Sequence, residues 1–129
     1  MSSSELERQP LPENGAGEME IHEKAQWETD LQKIIDDAPD KMQEEFEQNG
    51  QKQPWTELFR RHLSILKMTL DMGLVKGVIP TDQGAKIIKK YDTIMFDIAS
   101  LEDTFVNQGM KVPTSYRRVL TDRFKSLLE

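Results

Sequence analysis

Residues 81–109 read TDQGAKIIKKYDTIMFDIASLEDTFVNQG, and one apolar stripe runs the length of this segment. Ala85, Ile87, Ile88, Tyr91, Ile94, Met95, Ile98, Leu101, Phe105 and Val106 recur mainly at steps of three and four. That spacing stacks side chains on one side of a 3.6-residue helix. Thr81-Asp82 offers a capping oxygen at the start, and Gly109 a stop at the end. The expectation is a helix of about seven turns. Lys86, Lys89, Lys90, Asp97, Glu102 and Asp103 fall on its polar side.

The segments on either side agree with it. After Met110-Lys111-Val112-Pro113, with Thr114 or Ser115 as cap, Tyr116, Val119, Leu120, Phe124, Leu127 and Leu128 line one side of a last helix. Before it, Pro54 suits a first helical turn, where its missing N–H is not needed. Residues 55–72 then place Trp55, Leu58, Phe59, Leu63, Ile65, Leu66, Met68, Leu70 and Met72 around much of the circumference. A helix apolar nearly all round is expected at the centre of a core. Gly73 is expected to cap it, or to let it run on to Gly77.

Further back, Ile21, Ala25, Trp27, Leu31, Ile34, Ile35 and Ala38 make one stripe on a very acidic helix that begins near Met19. Pro39 is expected to stop it, and Asp40 to cap a short second helix carrying Met42 and Phe46 up to Asn49-Gly50. Residues 1–18 hold Ser, Pro, Gly and Glu with almost nothing to bury, which predicts a disordered acidic tail. Strand alternation is lacking. The fold class is therefore all-α: a small three-helix bundle over about 55–129, preceded by one or two acidic amphipathic helices. The implied division is tail 1–18, helical arm 19–53 and bundle 54–129. Its expected core is Trp55, Phe59, Leu63, Leu66, Ile88, Tyr91, Met95, Ile98, Phe105, Leu120 and Phe124.

Charge is split along the chain. Residues 1–54 hold fourteen Asp/Glu against five Lys/Arg, net −9, whereas residues 55–129 hold twelve Lys/Arg against nine Asp/Glu, net +3. An acidic arm beside a mildly basic folded part suggests a binding segment or a mask over the basic face. The absence of cysteine excludes disulfides and thiol chemistry. No apolar run approaches the ~20 residues that cross a bilayer. Met1-Ser2-Ser3-Ser4-Glu5 has neither the basic nor the apolar region of a secretory signal. Cytoplasm, or cytoplasm and nucleus, is the expected location, with no membrane partner.

Catalytic, cofactor and metal motifs are not found. His22 and His62 have no ligand spacing, and the acidic group Asp36, Asp37, Asp40 fails as a Ca²⁺ loop because Lys41 occupies its sixth position. Gly73 and Gly77 belong to no phosphate loop. A helix-turn-helix over 66–91 has too long a turn, interrupted by Pro80. The expectations are no enzyme activity, no cofactor and no metal.

Two groups remain as candidate sites. Lys111, Arg117, Arg118, Arg123 and Lys125 could hold phosphates or an acidic partner. Trp27, Leu31, Ile34 and Ile35 could form a partner-binding helix. The leading expectation is a non-enzymatic helical interaction or regulatory protein with a protein partner, homo-oligomerisation included. The alternatives are a nucleic-acid-associated accessory factor acting through the last helix, and an assembly or secretion chaperone.

Overall fold

A computed structural model describes residues 25–129. The tail expected over 1–18 and the start of the acidic arm, with Met19, Ile21 and His22, lie outside those residues. Four helices follow in order: α1 (Gln26–Gln48), α2 (Trp55–Val75), α3 (Thr81–Thr104) and α4 (Thr114–Lys125). A single 3₁₀ turn, Val106–Gln108, stands between α3 and α4. No strand occurs among the described residues, and the all-α class is the observed one.

Each helix packs on its chain neighbour, and α4 returns to α1, so the four close into a ring. Neighbours run antiparallel. Glu45 of α1 meets Arg61 and His62 of α2, near the opposite ends of their helices. Arg60 meets Glu102 across α2 and α3, and Asp97 meets Arg123 across α3 and α4. This is the up-down-up-down arrangement that short connections favour. Inside the ring, Phe59 and Phe124 bridge the α2–α4 diagonal with an edge-on contact, ring centroids 5.6 Å apart.

The acidic arm is one wall of this ring. Leu31, Ile35, Ala38, Met42 and Phe46 of α1 are all buried, at spacings that keep one side of the helix inward. That continuity corrects the expected break at Pro39, because α1 runs through the proline and Asp40 caps nothing. Without its N–H, Pro39 leaves the Ile35 carbonyl short of a helical donor, a cost of about 3 kcal/mol. Burying a Met or Phe side chain returns roughly 1.5–3 kcal/mol. A break at 39 would turn both Met42 and Phe46 away, so the unbroken helix wins.

Gly73 is also interior, since α2 continues to Val75 and the left-handed glycine is Gly77, φ +74°. A Cβ on Gly73 would stand 2.4 Å from Ile79 Cδ1. The glycine therefore lets the α2–α3 connection fold back onto α2. In α3 the deepest side chains are Ile87, Ile94 and Ile98, while the expected core residues Ile88, Tyr91, Met95 and Phe105 are half-buried. The stripe is wide enough to meet α2 on one side and α4 on the other, and its centre lies off the line drawn from sequence.

Candidate functional site

The expectation that α2 is buried all round fails on one side. Ile65, Met68, Met72 and Val75 lie at steps of three, four and three and are 46%, 64%, 54% and 88% exposed; Val78 continues the line at 56%. The buried residues Leu58, Phe59, Leu63, Leu66 and Leu70 occupy the other side of the helix. Ten residues of helix span about 15 Å, so the stripe is long enough for another helix to lie along it. Along α2 its border carries the Lys67–Asp71 pair, in which the ammonium donates to Asp71 Oδ2 at 3.1 Å and lies 5.6 Å from the Tyr91 ring centroid, and the exposed Lys76 at the helix end.

Beside the stripe, a groove of about 380 Å³ opens between the start of α1 and the end of α2. Trp27 and Leu31 form one wall, and Met72, Gly73, Val78 and Ile79 the other. Of the four residues proposed for a partner-binding helix, Leu31 and Ile35 are wholly buried and occupied by the chain's own core. Trp27 and Ile34 are half-buried and pack against that core. The exposed apolar line thus belongs to α2, one helix along. The sequence shows Ile65, Met68 and Met72 as apolar, but which side of α2 another helix covers is set by the packing. Phe96 of α3 is also exposed, at 72%.

The basic residues do not form one patch. Arg123 turns to Asp97 of α3. Arg118 and Lys125 are exposed and, with Arg117 and Asp122, line a groove of about 420 Å³ between α1 and α4. Arg117 points inward, with its guanidinium carbon 5.4 Å from the Phe46 ring centroid and Nη2 donating to Thr114 Oγ1 at 2.8 Å. Its Nε–H is shut off from solvent and has no hydrogen-bond partner. Lys111 Nζ donates to Gln51 Oε1 at 3.2 Å. Gln51 is held in the left-handed region at φ +59°, a conformation uncommon outside glycine.

Lys111 and Arg117 meet Lys52 around a second, smaller pocket of about 220 Å³. The pocket lies between the α1–α2 connection and the segment leading into α4, with Phe46, Trp55 and Pro54 among its walls. Lys52 escaped the sequence reading because it sits in a polar joint 59 residues before Lys111 and 65 before Arg117.

Elsewhere, polar side chains tie the ring together. His62 is buried, with Nε2 3.2 Å from Glu45 Oε1, and Arg61 reaches the other oxygen at 3.4 Å. Arg60 donates to Glu102 through Nε at 2.9 Å and Nη2 at 2.6 Å. These two hydrogen bonds hold the Glu102 carboxyl below the usual carboxylate range, against the opposing effect of its partial burial. The Arg60 guanidinium is correspondingly raised. Asp36, Asp37 and Asp40 are exposed on α1. Among the described residues no three His, Asp or Glu side chains are grouped to hold a metal ion, and no helix is long and apolar enough to cross a membrane.

The fold and its surfaces define a four-helix bundle with an apolar outer stripe and a basic pocket. No family model, curated protein or solved structure matches the chain.

Proposed function

We propose that the chain is a non-enzymatic interaction module that receives a helix of another protein along α2. The observation that carries this reading is the line of Ile65, Met68, Met72, Val75 and Val78. Contiguous apolar side chains on the outside of a folded domain mark interaction surfaces, whereas scattered ones do not. Two methionines in the line supply flexible, polarisable contacts that adapt to a partner's shape. Charges of both signs, the Lys67–Asp71 pair and Asp30 with Lys76 along the adjoining groove, suit a protein helix better than an anionic lipid surface or a nucleic acid. The nucleic-acid alternative is weakened because Arg123 is paired with Asp97, and Asp122 stands among Arg117, Arg118 and Lys125 in the α1–α4 groove.

A photo-crosslinking side chain at position 68, carried by the full protein in its native cell, tests this. The expected result is one discrete protein adduct that is absent with the crosslinker at exposed Lys89 and lost when Met72→Glu is added. The Met72→Glu protein should melt within about 2 °C of the parent, since a surface substitution of this kind changes stability by less than about 0.5 kcal/mol. An adduct only with a second copy of the chain would make α2 a dimer face. No specific adduct at 65, 68 or 72 would end the reading.

A further inference from the structure

We infer that the pocket bounded by Lys52, Lys111 and Arg117 is a binding site for a phosphomonoester carried on a compact apolar body. The inference stands on that pocket alone and is independent of the α2 surface.

Three cations from separate parts of the chain converge on it: Lys52 from the α1–α2 connection, Lys111 from the segment before α4, and Arg117 from the first turn of α4. No carboxylate lines the pocket, and none of the three forms an ion pair among the described residues. Elsewhere on the surface Arg60, Arg61, Lys67 and Arg123 each have an acidic partner. Three positive charges with no carboxylate at the pocket give it a potential that favours an anion.

Arg117 is set up for an oxyanion. Its Nε–H lacks any acceptor, and a buried donor left unmade is costly. A phosphoryl group entering the pocket would draw the guanidinium toward it and give Nε and an Nη the paired acceptors that the planar fork fits. Lys111 is poised by a neutral amide, Gln51 Oε1, whose hold a doubly charged oxyanion would readily displace. Three cations match a dianionic phosphate better than a singly charged carboxylate.

The apolar walls define the rest of the ligand. Phe46 and Trp55 are buried aromatic side chains that also line the pocket, and Pro54 and Val112 add apolar surface. The pocket offers a space of about 220 Å³. It has room for a phosphorylated aromatic or short aliphatic group. A free phosphate ester and a phosphorylated side chain of a peptide share this chemistry.

The test is a titration of the full chain carrying Trp27→Phe, so that Trp55 is the remaining tryptophan, with phenyl phosphate, inorganic phosphate, benzoate and a phosphotyrosine peptide. Phenyl phosphate should change Trp55 fluorescence saturably and bind at least tenfold more tightly than benzoate or inorganic phosphate. A peptide that binds tighter still would identify the source as a phosphorylated side chain; one that binds more weakly than phenyl phosphate would identify a small ester. Lys52→Ala and Lys111→Ala alter exposed side chains and should each weaken binding at least fivefold with the melting midpoint unchanged. Arg117→Lys keeps the charge and loses the fork, and should weaken binding more than Arg118→Ala, which should have no effect. Equal, non-saturating responses to all four probes, or binding that survives Lys52→Ala with Lys111→Ala, would overturn the assignment.

Discussion

At the residue scale, most polar side chains that cross between helices do so in pairs, and the Arg60–Glu102 pair is the best formed. Its two hydrogen bonds link α2 to α3 near the end of the bundle where α3 leaves the core. The Glu102 carboxyl is depressed in the folded state, so the stability it contributes is complete above the unfolded value of about 4.3 and disappears as pH falls through the lower folded value. Half-exposed pairs of this kind contribute up to about 1 kcal/mol. Glu102→Gln should therefore lower the urea midpoint by an amount constant from pH 7 to about 5, and the gap to the parent should close on further acidification. A gap of equal size at pH 3 and pH 7 would assign the effect to packing instead of charge. Gln51 shows what sequence withholds at this scale. Nothing in its surroundings along the chain announces a left-handed glutamine whose amide holds a lysine 60 positions away.

At the element scale, helical periodicity was legible wherever a single stripe faced a single neighbour. The starts of α2, α3 and α4 fall where the stripes begin, but the cap positions belong to Pro54, Pro80 and Pro113, and Thr81 and Thr114, expected as caps, are the first helical residues. What periodicity could not say is which part of a wide stripe lies deepest, or that α2 has no neighbour along Met68 and Met72, because both depend on where other helices sit. Pro39 was misread for a similar reason. The local rule against interior proline is correct in sign, but it competes with burial on both sides of the residue. Pro39→Ala should restore the donor to the Ile35 carbonyl, and the difference in helix-interior cost is about 3 kcal/mol. Pro39 is half-buried where α1 faces α4, so lost contact there offsets part of this. The expected outcome is a gain of about 1–2 kcal/mol in denaturant unfolding with helicity unchanged. A loss of stability would show that the proline ring is needed as a packing surface against α4.

At the scale of the whole molecule, α1 contributes to the same core as the other three helices. The charge split at residue 54 looks like a domain boundary, yet the net-negative side includes α1, whose apolar residues lie in the same core as Leu63, Ile98 and Phe124. Charge describes the outer side of α1, and burial describes its inner one. Removing α1 would uncover Leu58, Phe59 and Leu63 along α2 and delete Leu31, Ile35, Met42 and Phe46 outright. Four large buried side chains at roughly 1.5–3 kcal/mol each come to about 6–12 kcal/mol, comparable with the whole stability of a small domain, about 5–15 kcal/mol. A chain of residues 51–129 should consequently lack a cooperative thermal transition and bind a hydrophobic dye. Adding a separate peptide of residues 25–50 should restore helicity and a concentration-dependent melt, because the peptide supplies the missing wall. If residues 51–129 melt cooperatively by themselves and remain monomeric, α1 is an appendage on a self-sufficient three-helix bundle. Its acidic outer side would then be open to the masking role that the charge split first suggested.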